Sequence, residues 1–587
     1  MLKLFKKFSK KDVLFIIISI IMIITQVYLD LKTPDYMSEI TQLVKTEGSQ
    51  MADIWKNGRM MLVCSLGSLI LTIITGYLVA NVAANFSKRI RKEIFEKVED
   101  LGLHEVKEFS TSSLITRTTN DVSQIQSFIA MGLHILVKAP VTAIWGIRKI
   151  LNKGWEWSAA TGIAVLVLLI AVALIVVFVL PKFKKIQKLT DKLNAKAREN
   201  ITGIRVVRAF NASKYQEDKF NDINTDLTQT QLFIQKSFAV IQPLIYIVMY
   251  LLTLSIYLIG IKLINDALLT DKISIFGNMV VFSSYAIQII MSFLMLVMIF
   301  IMLPRAEVSA GRIKEVLETE NSIKDGNKGI AGVTEKGTIE FKDVSFKYPD
   351  ASEYLLEKIS FKANQGETVA FIGSTGSGKS TLVNLVPRFY DATEGEVIVD
   401  GQNVKDYTQA ELRNRMSYIP QKAMLFDGTV KSNIMYGDNG KSKITQEKIE
   451  EALKVAQGEE FVLKMEGQYD ANISQGGTNI SGGQKQRLSI ARAIAREPEI
   501  YIFDDSFSAL DYKTDKILRK ALKEYTKDAT TLIVAQRIGT IMHADKIVVL
   551  DNGKCVGIGT HKELLKNCEV YKEIALSQLT KEELENA

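Results

Sequence analysis

Long apolar stretches dominate residues 13–303 of the chain, and only shorter ones follow. Six of them are long enough to cross a bilayer as helices, for which about 20 residues are needed. The third is the weakest because it contains His134, Lys138 and Pro140, and a buried amphipathic helix is the alternative interpretation. The pattern predicts a six-helix membrane domain with spans at Val13–Leu29, Met60–Ala84, Phe128–Ile147, Ala159–Leu180, Phe238–Ile261 and Ile275–Leu303.

Two connections between these spans are long and have a helical pattern of their own. The spanning helices therefore extend beyond the bilayer, and we expect the two hairpins to turn near Phe109–Val122 and Gly203–Phe220. From Gly337 onward, strand-like and helix-like runs alternate, which is typical of an α/β domain with a parallel sheet. The predicted organisation is an all-α transmembrane domain at residues 1–320, a polar linker at 321–336 and an α/β domain at 337–587.

The composition fits an average over two unlike domains. Hydrophobic residues make up 47% of the 587 residues and charged residues 24%, and the mean hydropathy is +0.11. This average is too apolar for an ordinary soluble protein and too charged for a chain that lies in the membrane throughout. The 26 Phe and 19 Tyr exclude general disorder. Three cysteines without zinc-ligand spacing exclude a disulfide-stapled secreted domain.

The net charge of +8 follows the loops between the spans. Five lysines precede the first span, and residues 88–127 and 181–237 carry seven and twelve Lys or Arg. The alternate loops at 30–57, 148–156 and 262–274 carry three, three and two. Because cationic loops stay on the cytoplasmic side, we expect a multi-pass protein of the cell membrane whose N-terminus and α/β domain are cytoplasmic. No nucleic-acid partner is needed to explain the charge.

A glycine-rich segment in the α/β domain has the spacing G-x-x-x-x-G-K-[ST] of a phosphate-binding loop. An apolar strand at Thr368–Ile372 precedes it and a helix is predicted from Thr381, which is the context that the motif requires. Backbone N–H groups of such a loop wrap phosphates, and the helix adds its positive N-terminal end. Lys379 is suited to the β- and γ-phosphates and Ser380 to Mg²⁺. The predicted ATP-binding residues are Gly373, Ser374, Thr375, Gly376, Ser377, Gly378, Lys379, Ser380 and Thr381.

A second apolar strand, at Tyr501–Phe503, leads into the carboxylates of Asp504 and Asp505. Asp504 is suited to the Mg²⁺ shell, because Mg²⁺ takes oxygen ligands and usually keeps several waters. The alternative, a strand that ends in a solvated turn, is less plausible because a phosphate loop lies in the same domain.

The segment Ser481-Gly482-Gly483-Gln484 resembles the signature of ABC transporter ATPases. With its membrane domain fused to an ATPase domain, nearly the whole chain resembles an ABC exporter half-transporter, and Ser309–Ile313 resembles the exporter segment after the sixth span. The resemblance implies ATP and Mg²⁺ as cofactors. It also implies that two ATPase domains pair, so that each ATP lies between one phosphate loop and the signature of the other subunit.

The resemblance assigns roles to further residues. Tyr348 is similar to the aromatic residue that stacks on adenine, and Gln421 to the loop glutamine that contacts Mg²⁺. The implied Mg²⁺ shell is therefore Ser380, Gln421 and Asp504. The implied D-loop is Ser508, Ala509, Leu510 and Asp511, and the implied coupling helices lie near Thr111–Arg117 and Ala209–Lys214.

Two positions depart from the family pattern within one ATP site. The family's hydrolytic base is a glutamate, and here Asp505 is shorter by about 1.5 Å; a misplacement of that size can cost on the order of 10²-fold in rate. The family's switch residue is a histidine. Here Gln536 can donate a hydrogen bond but cannot take up a proton or carry a positive charge at neutral pH. A third, less decisive departure from the family pattern is Gln475, where relatives often have Glu.

These departures predict the degenerate-site subunit of a heterodimeric multidrug exporter. Its own site binds ATP and turns over slowly, while Ser481–Gln484 completes the site of a partner half-transporter with intact Glu and His. The sixth span has a methionine face, Met291, Met295, Met298 and Met302, which suits a permissive cavity for drugs or lipids or else ordinary helix packing. The membrane lipid and a hydrophobic small molecule are thus the other expected partners. The alternatives are a dedicated lipid or peptide exporter half and a regulatory nucleotide-binding subunit with little transport of its own.

Overall fold

A computed structural model describes residues 2–46, 48–151, 154–268, 271–329, 333, 335–437 and 443–579. The chain divides into two compact units, of which the first is Met1–Val98 with Ser112–Glu318 and the second is Glu99–Thr111 with Thr319–Ala587. Residues 330–332 and 334 of the predicted linker and residues 438–442 and 580–587 of the predicted α/β domain lie outside the described residues.

Helices make up the whole regular structure of the first unit within its described residues. Two π-helical turns, Arg117–Asp121 and Phe128–Gly132, join α5, α6 and α7 into one run. The short helix α4 belongs to the second unit. In chain order the helices are α1 (Leu2–Phe5), α2 (Lys10–Lys45), α3 (Met51–Asp100), α4 (Leu103–Phe109), α5 (Thr111–Thr116), α6 (Val122–Ser127), α7 (Leu133–Leu151), α8 (Trp155–Thr202), α9 (Ile204–Ala209), α10 (Ser213–Asp266) and α11 (Lys272–Glu318).

Five helical segments in the described part of the chain are long and apolar enough to cross a membrane. They are α2, α3, the run Thr111–Leu151, α10 and α11, and they contain five of the six predicted spans. The fourth predicted span lies on α8, where the apolar segment found is Trp155–Ala171. A helical transmembrane domain is thus confirmed, and the count of six spans stays a prediction.

The first hairpin turns earlier than the expected Phe109–Val122. Helix α3 ends at Asp100, and α5 already begins at Thr111. Gly102 is the N-cap of α4, and Ser110 ends it with a positive φ of 57°. Residues 111–127 contain neither Gly nor Pro, so nothing interrupts the helix there. The second hairpin turns around α9, inside the expected range Gly203–Phe220.

A buried aspartate ties the π-helical turn before α6 to the last part of α11. The Asp121 side chain is 1% exposed, and its Oδ1 accepts hydrogen bonds from Ser309 Oγ at 2.9 Å and Arg312 Nη2 at 2.8 Å. Arg117 in the same turn pairs with Glu315 at 2.7 Å. The segment that resembles the exporter motif, Ser309–Ile313, therefore fixes two helices of the first unit to each other.

The lysine within the third predicted span points toward its neighbouring helices. Lys138 Nζ lies 3.3 Å from Asp30 Oδ2 on α2, and Asp30 Oδ1 also accepts a hydrogen bond from Ser68 on α3. Eleven residues further along α7, Lys149 pairs with Asp35 at 2.5 Å. Since charge within a membrane is costly unless it is paired, this contact favours the interior placement of Lys138 over snorkelling.

We expect Lys138→Met to lower the stability of the membrane unit, because Asp30 then loses its cationic partner and keeps the hydroxyl of Ser68. Breaking a buried pair costs about 3–5 kcal/mol, and partial exposure reduces this to about 1–3 kcal/mol. Thermal unfolding of the full chain in detergent measures the change. Lys56→Met on the exposed part of α3 is the control, and Asp30→Asn combined with Lys138→Met should recover most of the loss. A double variant as unstable as the single one would contradict the pairing.

The second unit is built on a six-stranded sheet in the order β12-β11-β3-β10-β9-β6. All neighbours pair in parallel except the edge strand β12. A four-stranded antiparallel sheet, β2-β1-β4-β5, and the pair β7-β8 accompany it. The strands are β1 (Ile339–Phe346), β2 (Leu356–Ala363), β3 (Thr368–Gly373), β4 (Glu394–Val399), β5 (Gln402–Asn403), β6 (Met416–Ile419), β7 (Gly428–Thr429), β8 (Asn472–Ile473), β9 (Ile500–Asp504), β10 (Thr530–Val534), β11 (Lys546–Asp551) and β12 (Lys554–Gly559).

Strand β3 shows why this sheet is buried on both faces. Val369 and Phe371 join one apolar cluster and Ala370 and Ile372 join another, as the alternation of side chains along a strand requires. The expected α/β domain with a parallel sheet is therefore confirmed. Its helices are α12 (Lys379–Asn384), α13 (Gln409–Asn414), α14 (Val430–Ile434), α15 (Gln446–Val455), α16 (Glu459–Leu463), α17 (Gly482–Ala495), α18 (Tyr512–Tyr525), α19 (Ile538–Ile541), α20 (His561–Asn567) and α21 (Glu569–Gln578).

Candidate nucleotide site

Four segments of the second unit meet at the carboxyl ends of the parallel strands. The phosphate loop follows β3, Asp505 follows β9, Gln421 follows β6 and Gln536 follows β10. In open α/β sheets, ligands bind in the crevice outside these strand ends. Residues separated by more than 160 positions in the sequence therefore reach one site.

The phosphate loop is compact, and α12 begins at Lys379, two residues before the expected start. Gly378 is the N-cap with a φ of 92°, and an added Cβ would lie 2.6 Å from Leu356 Cδ2, so only glycine fits there. Lys379 Nζ donates to Gly373 O at 2.9 Å and Ser374 O at 2.7 Å. Burial lowers the pKa of Lys379, and the carboxylates of Asp505 and Asp504 oppose that shift. A buried ammonium held inside the loop is well suited to neutralise phosphate.

Asp504 is held by two hydroxyl groups. Ser380 Oγ donates to its Oδ1 at 2.6 Å, and Tyr418 OH donates to its Oδ2 at 2.9 Å. Burial raises the pKa of the Tyr418 hydroxyl, and the negative charge of Asp504 raises it further. The Ser380 hydroxyl and the Asp504 carboxylate together form a set of hard oxygen donors, which is what Mg²⁺ requires.

Asp505 accepts hydrogen bonds from two glutamine side chains. Gln536 Nε2 lies 2.8 Å and Gln421 Nε2 3.1 Å from the same carboxylate oxygen, Oδ2. Burial raises the pKa of Asp505, the bond from Gln421 opposes this, and the charge of Asp504 adds to it. The two positions that depart from the family pattern, Asp505 and Gln536, therefore contact each other directly.

Tyr348 contacts the first turn of the helix that follows the phosphate loop. Its hydroxyl is 2.9 Å from Thr381 Oγ1, and its ring makes edge contacts with Phe346 and Tyr390 at centroid distances of 5.0 and 5.3 Å. These contacts fix the orientation of the ring next to the first turn of α12. The position suits a base that is attached to phosphates in the loop.

The signature segment caps a different helix. Ser481 is the N-cap of α17, and it forms a reciprocal capping box with Gln484. A Cβ added to Gly483 would be 3.5 Å from Ala509 O, so the signature and the D-loop are neighbours. Within residues 335–437 and 443–579, no hydrogen bond or ion pair joins Ser481–Gln484 to the phosphate loop. Ser481 and Gly482 are exposed.

Family models cover most of the chain. The "ABC transporter" model matches residues 356–508, and the "ABC transporter transmembrane region" model matches residues 14–293. An uncharacterized ABC transporter ATP-binding protein of Mycobacterium tuberculosis is 37% identical over 88% of this chain and 87% of its own length. The chain belongs to the ABC transporter family. It is an ATP-driven exporter half in which a membrane domain is fused to an ATPase domain.

Two further relatives of this ABC exporter have names that mention a cargo. The putative multidrug export ATP-binding/permease protein YgaD of Bacillus subtilis is 32% identical over 83% of this chain and 82% of its own length. The ATP-dependent lipid A-core flippase of Mannheimia succiniciproducens is 31% identical over 86% and 85%. A solved bacterial Atm1-family ABC exporter with ATP bound has the same fold, with a TM-score of 0.81 and 23% identity over 95% of this chain and 98% of that chain.

Sequence reasoning about this ABC exporter missed Tyr418, which holds Asp504. A signal existed, because Tyr418 stands three residues before Gln421 on a strand whose register pairs it with Ile502, two residues before Asp504. It also missed Tyr390, which lies in a turn after α12 and fixes Tyr348. No spacing along the chain relates Tyr390 to Tyr348, and only the tertiary fold brings them together.

Proposed function

We propose that this exporter half is the degenerate-site subunit of a heterodimer that exports apolar or amphipathic compounds. The observation that carries the proposal is the contact of Gln536 and Gln421 with one oxygen of Asp505. The subunit lies in the cell membrane with its N-terminus and ATPase domain in the cytoplasm, in agreement with the distribution of Lys and Arg among its loops.

Two features of Asp505 argue against rapid hydrolysis at this chain's own site: its side chain is short, and it already accepts hydrogen bonds. The side chain is one methylene shorter than the family's glutamate, and the base must lie within hydrogen-bond distance of the attacking water. Its Oδ2 already accepts two amide N–H groups. Gln536 directs one of its two amide N–H groups to this contact, and as a neutral amide it brings no positive charge to a phosphate.

The residues that bind nucleotide keep the family pattern. Gly373–Thr381 would hold the phosphates of ATP, Tyr348 would stack on its base, and Ser380, Gln421 and Asp504 would form the protein part of the Mg²⁺ shell. A Mg²⁺ ion held by these residues would offset the negative charge of the phosphate groups. Lys379 contributes a second cation from inside the loop. The site therefore retains what is needed to bind ATP.

The exposed signature is the contribution of this chain to its partner. Ser481 and Gly482 lie at the N-terminus of the 14-residue helix α17, where backbone N–H groups and the helix dipole favour an anion. The partner supplies a phosphate loop together with an intact Glu and an intact His at the positions of Asp505 and Gln536. ATP then binds between the subunits at two unequal sites, one slow and one fast.

The cargo proposal rests on the membrane domain and on the names of relatives. Met291, Met295 and Met298 form an exposed methionine face on α11, which suits flexible contacts with varied apolar molecules. YgaD is named as a multidrug exporter, which favours broad specificity. The flippase name favours a second candidate, a dedicated exporter of an amphipathic lipid.

The proposal predicts different behaviour for the chain alone and with its partner. Purified alone in lipid nanodiscs, the chain should bind ATP and hydrolyse little of it. Co-purified with a partner half that has intact Glu and His, it should show ATPase activity and ATP-dependent dye uptake into inverted vesicles. Brisk hydrolysis by a homodimer of this chain would contradict the degenerate site. ATP-dependent gating without net transport would indicate a regulatory subunit instead.

A further inference from the structure

The short helix α4, between the second and third predicted spans, lines a cavity beside Tyr348. The second unit contains α4, and its Glu105 accepts a hydrogen bond from the backbone N–H of Ser322 at 3.2 Å. Phe109 and Leu101, which flank this contact, are buried. Helix α4 is therefore anchored within the ATPase unit, although the chain runs from it directly into the helices of the membrane unit.

One face of α4 borders this cavity of about 350 Å³. His104 and Lys107, one helical turn apart, line it together with Tyr348, Asp350 and Tyr390. One side of the cavity is thus formed by a helix that is separate from both the phosphate loop and the signature. Its volume is large enough for a purine ring.

Lys107 is placed against the ring on which the base would stack. Its Nζ lies 5.9 Å from the centroid of the Tyr348 ring and 5.9 Å from that of Tyr390, within the range of a cation–π contact. It also donates a hydrogen bond to Tyr390 OH at 3.3 Å. An ammonium group at this distance lies within or beside the volume that a stacked purine needs.

We propose that Lys107 and the base of ATP compete for Tyr348, which makes Lys107 a sensor of the bound base. Without nucleotide, the ammonium group holds α4 against Tyr348 and Tyr390. When a purine stacks on Tyr348, the ammonium group leaves and one contact that anchors α4 is lost. The hairpin between the second and third predicted spans therefore responds to the base, separately from any response to the phosphates.

The proposal rests on ATP binding at the phosphate loop with its base against Tyr348, and two ligands separate the two claims. Mg²⁺–ATP carries the base, while Mg²⁺–tripolyphosphate carries only the phosphate chain. Calorimetric titration of the full chain in nanodiscs gives the affinity for each. If neither ligand binds to the unchanged protein, the nucleotide site itself is wrong and this proposal fails with it.

Lys107→Met keeps the apolar stem and removes the competing charge. We expect ATP to bind roughly two- to fivefold more tightly, the range expected for losing one exposed cation–π contact, with unchanged affinity for tripolyphosphate. Lys527→Ala, an exposed residue before the amino end of β10 and so at the opposite edge of the sheet, is the control. Weaker ATP binding in Lys107→Met would mean that Lys107 contacts the base directly, and it would overturn the competition, as would an unchanged ratio of the two affinities.

Hydrogen exchange tests the consequence for the hairpin. Saturating Mg²⁺–ATP should raise the amide exchange of residues 103–109 in the unchanged chain, whereas Mg²⁺–tripolyphosphate should leave it as it is. In Lys107→Met, exchange should already be high without ligand and respond to neither. Equal responses to both ligands in the unchanged chain would show that α4 follows the phosphates, and they would contradict the sensor.

Discussion

Replacing Ser481 with Arg in this chain should abolish ATP hydrolysis by the proposed heterodimer, although the phosphate loop of the chain is untouched. The exposed N-terminus of α17 would face the partner's ATP, and a bulky side chain there blocks the approach of the two domains. Under the proposed asymmetry, Asp505→Asn should change hydrolysis less than twofold, because the site of this chain would then contribute little to turnover. We expect a drop of at least about 10²-fold for Ser481→Arg, since loss of positioning on this scale has that cost.

ATP hydrolysis by the Ser481→Arg and Asp505→Asn variants is measured on co-purified heterodimers in nanodiscs, with ATP at saturating concentration. Thr560→Arg is a matched control, since Thr560 forms the capping box of α20 with Glu563 and its loss removes a cap without touching either site. Loss of a cap costs about 1 kcal/mol, so both variants should remain folded. If Asp505→Asn were as damaging as Ser481→Arg, the two sites would be equivalent and the proposed asymmetry would be wrong.

The parts of the site that sequence reasoning identified are those in which the chemistry lies within a few consecutive residues. The phosphate loop and the signature each present backbone groups at the start of a helix, so the spacing of glycines and caps is itself the structural information. The strand before Gly373 is found where it was expected, and the signature segment at Ser481 stands at the start of a helix. The fold class was predictable for a related reason, because periodicity and length separate spanning helices from buried parallel strands.

The partners of these residues were not predictable, because they come from distant parts of the chain. Tyr418 reaches Asp504 across two paired strands, and Lys107 reaches Tyr348 from a hairpin more than 230 residues earlier. The first turn was misplaced because polar residues at 111–121 continue the helix through a π-helical turn, which hydropathy does not distinguish from a loop. Whether Lys138 faces the neighbouring helices or extends to the membrane surface could not be decided until the position of Asp30 was known.

The contact between Gln536 and Asp505 changes how the two departures should be understood. Each alone could weaken hydrolysis while leaving the other position free to act. In the structure the two side chains are in direct contact, since the Gln536 amide nitrogen lies 2.8 Å from the Asp505 carboxylate. Residues in direct contact are expected to give non-additive effects, so neither substitution by itself should restore a working site.

The double variant Asp505→Glu with Gln536→His should therefore raise the ATPase activity of the chain on its own by more than the two single variants together. Glutamate moves the carboxylate outward by about 1.5 Å, which corresponds to a rate change on the order of 10²-fold if the geometry becomes productive. Glutamate alone would meet the Gln536 amide that now lies against Asp505, and histidine alone would leave the base too short. Initial hydrolysis rates of the homodimer, with ATP affinity measured in parallel, separate catalysis from binding. Asp505→Asn with Gln536→His serves as the control, because it has the switch residue without a base. If the double variant binds ATP normally and stays as slow as the unchanged chain, the slow turnover does not originate at these two residues.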